Sequence, residues 1–407
     1  MGKKNQRIAV VGAGITGTVA SLMLAEAGYR VCLFDKADRA MTGASLVNEG
    51  KIYLGFVYVN DPSLRSLDVM VETAVVFRSI LERWIPGCIF DTAITEPFEY
   101  IVPRDTQVLP EEIERKFDLV ARKILDAEKR QGTRYLDKER EIIWKPKTDE
   151  GERYNRDYII AQYETMERSV DTHLIAEALR DCLMSNDNIE LYFSHEVDRI
   201  QKTGTTWSLH CRSRDTEERF GPFDHVINAS WDGRLKLDAQ VFGPEKFEWF
   251  HRFKHALNLQ PDQVDGIPNF TAIIGTYGDV ILYPSGRVYL SYYPAGMLSA
   301  GSKIEDVQTV YDDSTRDLIA SETLAGLSKF VPSIGKAFSP CKPNGSHVTG
   351  GIIMARGRTD IDDHMSELHQ RYKIGIRQKG NYMSIDTGKY TCGPALAEEA
   401  VHRITGG

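Results

Sequence analysis

Three glycines near the start of the chain are the first residues that suggest chemistry. Gly12, Gly14 and Gly17 stand in Gly12-Ala13-Gly14-Ile15-Thr16-Gly17, directly after the apolar run Arg7-Ile-Ala-Val-Val11. A strand followed at once by this spacing and then by a helix is the arrangement that cradles a pyrophosphate. Gly12 permits the tight turn, and Gly14 lets backbone N–H groups approach the phosphates at the positive helix end, beside Ile15 and Thr16. Gly17 allows close packing of helix on strand. Asp35, with Lys36 beside it, falls 18 positions after Gly17, where a carboxylate can accept hydrogen bonds from both ribose hydroxyls. An acid at this point disfavours a 2′-phosphate and hence NADP. The bland alternative is a glycine-rich turn with no ligand.

Other candidates are more dispersed. Arg356 and Arg358 lie in Gly351-Ile-Ile-Met-Ala-Arg-Gly-Arg-Thr-Asp360, and either could hold a carboxylate in a two-bond fork, or simply be a surface arginine. Tyr283, Tyr292 and Tyr293 could offer a hydroxyl to a substrate or be ordinary core tyrosines. Asp360, Asp362, Asp363, His364, Glu367 and His369 contain metal-ligand types, but they also suit a solvated acidic loop, and no metal is expected. No second GxGxxG follows a strand, which argues against a pyridine-nucleotide reductase. Gly278-Asp279 lacks the Ala-Ala-His continuation of the aromatic hydroxylases.

The elements that must position these residues alternate in type, as an α/β fold requires. Arg7–Val11 and Arg30–Phe34 read as buried parallel strands flanking a helix that stops at Gly28. Helices are expected from Ser63 as cap to Trp84, from Pro110 to near Gly132, from Asp171 to Ser185, over 313–330 and from about Pro394. Short strands are expected at 189–193, 206–211 and 224–228. Thr271–Ile274, Val280–Tyr283 and Val288–Tyr292 then read as an antiparallel sheet forming a substrate region. This order implies interleaved domains: a dinucleotide-binding, Rossmann-like part from 1–84, 155–235 and 340–407, and a substrate or cap part from 85–154 and 236–339.

Composition sets the outer bounds. The 407 residues are 42% hydrophobic and 27% charged, as in ordinary globular proteins. A formal charge of −8 argues against a nucleic-acid partner. No stretch is long and apolar enough to span a bilayer, and no secretory or myristoylation signal is expected at the N-terminus. The six scattered cysteines form no C-x-x-C, and a reducing cytoplasm is expected.

After the second strand come Thr42, Ala44, Ser45, Asn48 and Gly50 in Thr-Gly-Ala-Ser-Leu-Val-Asn-Glu-Gly. Here the chain resembles the D-amino-acid oxidase/glycine oxidase (DAO) superfamily of flavoproteins, whose A-S-x-x-N-x-G loop lies at this point. The resemblance implies FAD rather than NAD. Thr42, Ala44 and Ser45 would then line the pyrophosphate and ribityl chain, with Asn48 and Gly50 nearer the ring. Ser169–Leu174, followed by His195-Glu196-Val197, looks like the family's second stretch, with Val197 facing the adenine. Asp224–Trp231 looks like its V-I-N-A-x-G-x-W strand end and brings in Ala229, Ser230 and Trp231, although Ser230 departs from the usual Ala or Gly. Asp386-Thr387-Gly388-Lys389-Tyr390-Thr391 resembles the G-K-L-T loop of the glycerol-3-phosphate dehydrogenase branch. There, Gly388, Lys389, Tyr390 and Thr391 would meet the pyrimidine edge of the flavin, and the Lys389 ammonium would stabilise the charge that builds on reduction. A covalent flavin link through Cys341 or Cys392, as in the sarcosine oxidase branch, lacks the matching sequence context.

The expectation is an FAD-dependent oxidase or dehydrogenase that takes a hydride from the C–N or C–O carbon of a small amino acid, amine or hydroxy acid. A carboxylate-bearing amine is slightly favoured, and the electron acceptor is O2 or an unknown carrier. The alternatives are a biosynthetic flavoenzyme acting on a larger tethered or sugar-like intermediate, capped by 85–165, and a non-catalytic flavin-binding protein.

Overall fold

The computed structural model describes residues 6–139, 142–147, 153–214, 216–262, 264 and 266–406. Its organising element is a six-stranded sheet. The strands run in the order Gly375–Lys379, Tyr382–Asp386, His225–Asn228, β1 (Arg7–Val11), β2 (Arg30–Phe34) and Ile189–Tyr192. All neighbours pair in parallel except the first two strands. β1 is central, which explains its unbroken apolar run: Ile8, Ala9 and Val10 are wholly buried.

Helix α1 (Ile15–Glu26) follows β1 and is buried on every side from Ile15 to Ala25. Its low amphipathicity follows from this position, since it packs on the sheet and also against the C-terminal helix Gly393–Thr405. Gly17 makes the close approach possible: a Cβ there would lie 1.8 Å from the Gly12 carbonyl oxygen.

A second, nine-stranded sheet is largely antiparallel. It runs Met297–Gly301, Trp249–Leu259, Val288–Tyr292, Gly278–Leu282, Phe270–Ala272, Glu99–Pro103, Ile159–Thr165 and Trp144–Pro146. Val348–Arg356 lies along Trp249–Leu259 over its length, from Trp249 opposite Arg356 to Leu257 opposite Val348. A three-stranded antiparallel sheet spans Glu196–Thr203, Thr206–Ser213 and Thr216–Phe223.

Two expectations need correcting here. Ile159–Thr165 and Val348–Arg356 were drawn to the nucleotide side at 155–235 and 340–407, yet both hydrogen-bond into the nine-stranded sheet. Gly350 and Gly351 hide the second strand, because glycine disfavours strands; here Gly350 leaves room for the Phe253 ring, which a Cβ would meet at 2.3 Å. Ser63 is not the helix cap either. The helix is Arg65–Leu81, and Asp61 Oδ2 accepts from Ser66 N at 2.9 Å. Among the described residues, no helix is long and apolar enough to cross a membrane.

Candidate functional site

A deep cleft opens where the parallel strands end, at the point where the chain leaves β1. Its floor is bare backbone. Gly12 has φ +99°, and a Cβ there would lie 2.5 Å from the Ala229 carbonyl oxygen. At Gly14, which starts α1 without a side-chain cap, a Cβ would lie 2.9 Å from Ser45 Oγ. These glycines let the Ala229 and Ser45 segments close in, and they leave no side chain of their own between the helix N-terminus and the cleft.

Asp35 is held by two backbone amides: Oδ2 accepts from Ala13 N at 2.6 Å and Oδ1 from Ala37 N at 2.8 Å. A carboxylate has about four acceptor sites, so two remain for ribose hydroxyls. Burial pushes its pKa up, and the two amides oppose that. Lys36 reaches across to Asp232 at 2.6 Å, and both line the cleft.

The loop after β2 closes on itself. Asn48 Nδ2 donates to the Ala44 carbonyl and Asn48 Oδ1 accepts from Gly50 N, each at 2.7 Å, while Ser45 Oγ accepts from Ile15 N at 2.9 Å. Thr42, Ala44, Ser45, Asn48, Val197, Ala229, Ser230 and Trp231 all line the cleft with Gly12, Gly14, Ile15, Thr16, Asp35 and Lys36. Trp231 Nε1 donates to the Ile352 carbonyl at 2.9 Å and joins the two large sheets at this wall. Ser230 fits its departure from the family pattern by donating to Asn228 Oδ1 at 2.6 Å.

The closed end is formed by the last loop. Thr16 and Thr387 share a hydrogen bond of 2.9 Å that ties α1 to it, and Gly388, Lys389 and Tyr390 line the cleft. Burial pulls the Lys389 ammonium down to about 8, against the attraction of Glu49. Gly17, Gly50 and Thr391 stand behind the wall. Gly50 lets Val170 close in, and Thr391 Oγ1 bridges Tyr53 N (3.0 Å) and the Lys51 carbonyl (3.1 Å).

The substrate candidates divide. Arg358 is an exposed surface residue whose guanidinium pairs with Glu248. The Arg356 guanidinium lies 4.2 Å over the Phe247 ring, outside the cleft. Tyr292 packs against helix Asp313–Phe330, where a Cβ on Gly326 would lie 2.3 Å from its ring. Tyr283 is a support, its hydroxyl donating to the Glu49 carbonyl at 2.9 Å. Tyr293 also lies outside the cleft lining, where it donates to Asp360 at 2.6 Å and accepts from Arg252 at 2.8 Å. The rest of the acidic cluster is engaged with its own loop, Asp363 with Thr359 and His369 with the Asp363 carbonyl. Among the described residues, no group of three His, Cys, Asp or Glu could hold a metal. Neither Cys341 nor Cys392 lines the cleft.

Sequence reasoning missed most of the closed end. Glu49, Lys51, Tyr53, Lys254 and Tyr289 line it. Lys51 is fully buried, pairs with Asp279 at 2.9 Å and donates to Thr271; Lys254 stands 3.7 Å from the same Asp279. Arg371 is buried beside Arg252, Tyr58, Tyr293 and Tyr53, behind the cleft lining and near Asp386; among the described residues no carboxylate lies within ion-pair distance of its guanidinium. Burial, then Arg252, lowers its pKa. The available signal was Arg252 and Lys254 standing two apart in a strand that also carries Trp249, Phe250, Phe253, Ala256 and Leu257, since buried charges in strands are rarely idle.

A family model described as "FAD dependent oxidoreductase" (DAO) matches residues 7–362. No curated protein sequence matches. Among solved structures, glycine oxidase from Geobacillus kaustophilus superposes with a TM-score of 0.65 at 15% identity, covering 98% of this chain and 95% of that one. L-proline dehydrogenase from P. horikoshii gives 0.64 at 14%, covering 99% and 94%. L-alpha-glycerophosphate oxidase from Mycoplasma pneumoniae, with FAD bound, gives 0.64 at 14%, covering 98% and 94%. At such identities the likeness is one of fold.

Proposed function

This chain belongs to the DAO family of FAD-dependent oxidoreductases, and from that premise we propose that it oxidises a small anionic molecule at a C–O or C–N carbon. FAD is the cofactor, and the bare floor at Gly12 and Gly14 and the spare acceptors of Asp35 fit its ADP half. When bound, the flavin accepts a hydride from the substrate. Gly12, Gly14, Ile15 and Thr16 would hold the pyrophosphate, Asp35 and Lys36 the ribose, and Val197 the adenine side. Thr42, Ala44 and Ser45 would follow the ribityl chain. Asn48, Ala229, Ser230, Trp231 and the loop Gly388–Tyr390 would flank the ring end.

The observation that carries the substrate reading is Arg371, a buried guanidinium with no carboxylate partner among the described residues. An unpaired buried cation is costly, and a substrate anion would relieve the cost. Arg252 and the Tyr58 hydroxyl, which has no hydrogen-bond partner among the described residues, stand beside it as further donors. The surroundings point the same way: Lys51, Lys254, Lys389, Arg252 and Arg371 gather at or behind the closed end, where Asp360 pairs with Arg252, Glu49 and Asp279 are held below their ordinary values, and burial raises Glu167 and Asp386 above theirs. That balance favours a substrate bringing net negative charge, a hydroxy acid or an organic phosphate, over a zwitterionic amino acid.

The test is anaerobic bleaching of flavin absorbance by hydroxy acids, polyol phosphates, amino acids and amines. Arg371→Ala should weaken binding of the active compound by about 2–5 kcal/mol, with Lys rescuing only part because an ammonium lacks the planar fork. Unchanged affinity in Arg371→Ala, or bleaching confined to uncharged amines, would refute the anionic substrate.

A further inference from the structure

Resting on the proposed oxidation of an anionic hydroxy compound, we propose that Tyr53 takes the proton of the substrate's hydroxyl and that Glu49 receives the phenol's own proton in the same step. The two residues stand in the cleft wall with Lys389. Tyr53 Oη donates to Glu49 Oε1 at 2.5 Å and accepts from Lys389 Nζ at 3.4 Å. A phenol oxygen has two acceptor sites, so one remains after Lys389 is counted. A substrate O–H entering the cleft can donate to it.

Both partners are fixed from behind. Tyr53 N donates to Thr391 Oγ1 at 3.0 Å, and the Glu49 carbonyl accepts from the Tyr283 hydroxyl at 2.9 Å. Thus the short segment Glu49 to Tyr53, a strand at Lys51–Ile52, is held between the last loop and the nine-stranded sheet, and the pair keeps its geometry without substrate.

The protonation states suit a relay. Burial raises the Glu49 carboxyl, but Lys254 and Lys389 outweigh it and leave the group below its ordinary value. It is therefore an anion at rest and has room for a proton. Burial and the Glu49 charge push the Tyr53 phenol well up, so it holds a proton that it can pass on. The groups facing Glu49 are Lys254, Asp279, Tyr283 and Tyr289 from the large sheet, Lys389 from the last loop, and Tyr53 and Tyr58 from its own segment.

The need for an acceptor comes from the chemistry of alcohols. When a C–H hydride leaves with its electron pair to the bound cofactor, the carbon–oxygen bond becomes double and the hydroxyl proton becomes strongly acidic. That proton passes to Tyr53 Oη, the phenol proton passes to Glu49, and Glu49 later returns one proton to solvent. Substrate loses a hydride and a proton, and the enzyme ends with both phenol and carboxylate restored. A neutral amine forms an iminium without this help, so the relay is specific to O–H substrates.

The test combines two readouts on the flavin-loaded protein. In the first, 13C NMR of labelled glutamate, assigned with Glu49→Gln, follows the carboxyl against pH. The wild-type carboxyl should be ionised throughout the neutral range, and Tyr53→Phe should move its midpoint upward, because the Tyr53 hydrogen bond favours the anion. In the second, anaerobic stopped flow with the active hydroxy compound should show Tyr53→Phe slower by about a hundredfold with little change in KM. Glu49→Gln should be similarly slow, Glu49→Asp should recover part of the rate, and dithionite should reduce all variants alike. A protonated Glu49 at neutral pH, or full-rate reduction of Tyr53→Phe by a hydroxy compound, overturns the relay while leaving the substrate reading intact. Bleaching of the wild type by amines and by no hydroxy compound overturns the substrate reading and the relay with it.

Discussion

Lys389 answers two opposed demands at the closed end of the cleft. On the proposed placement of the flavin its ammonium stands near the ring edge that becomes negative on reduction, yet burial draws it down to about 8. Lys389→Met should therefore lower the flavin reduction potential, measured by anaerobic titration against a reference dye; an unchanged potential would remove Lys389 from the ring. The same residue has a stability signature in the cofactor-free protein. A lysine depressed in the folded state binds fewer protons there than when unfolded, so its cost is full below about 8 and fades as pH rises toward the ordinary 10.5. Denaturant midpoints should show Lys389→Met gaining on wild type at pH 7, by at most about 3 kcal/mol and less the loss to Glu49, with the gap closing by about pH 10. The sequence made Lys389 legible because its loop carries a motif. Arg371 and Tyr53 were not legible, since a single arginine or tyrosine in an irregular stretch looks the same whether it faces water or a buried cleft.

The nucleotide fingerprint is as much a matter of strand and helix packing as of ligand contact. Gly14→Val would push a branched side chain onto Ser45, whose hydroxyl already lies 2.9 Å from a modest Cβ. Purified Gly14→Val should be colourless yet keep the wild-type far-ultraviolet circular dichroism, and a yellow variant would place the pyrophosphate elsewhere. Gly350→Val tests the other sheet: its side chain would meet the Phe253 ring, and a loss of about 2–4 kcal/mol in chemical denaturation is expected, as for an overpacked core position. Elements with a clear local signal were legible: β1 by its unbroken apolar run, α1 by the glycine turn before it, and Pro110–Gln131 by its proline start and charged face. Strands that borrow glycine for close packing, such as Val348–Arg356, were not, because propensity and tertiary fit disagree there. Nor were Glu99–Pro103 and Ile159–Thr165, each half hidden among loop residues.

At the scale of the molecule, the charge map is uneven. The chain carries −8 overall, whereas Lys51, Lys254, Lys389, Arg252 and Arg371 gather at or behind the closed end of the cleft. An anion must pass an unfavourable surface to reach a favourable pocket, so its capture should depend on salt through the local field more than through the net charge. KM for the active anion should rise a few-fold as ionic strength goes from well below to well above the range where screening reaches about 8 Å. A salt-independent KM would argue for an uncharged substrate. The largest hydrophobic cluster joins Ile8 and Val31 of one sheet to Tyr100, Ile281 and Tyr289 of the other. Heat should accordingly unfold both sheets together, with flavin release at the same midpoint, and added FAD at a hundred times its Kd should stabilise the whole by about 2.7 kcal/mol.

The hydrogen bond between Thr16 and Thr387 joins residues 371 positions apart, and Tyr382–Asp386 fills a place inside the sheet next to His225–Asn228. During synthesis the glycine turn therefore emerges long before the loop that closes the cleft over the ring. A ribosome stalled after the Gly278–Leu282 hairpin would present the turn at Gly12 with its wall half built, and such a nascent chain should not retain flavin. Loading must wait until the loop at 387–391 has emerged, so a shorter nascent chain does not hold a reactive cofactor in the open.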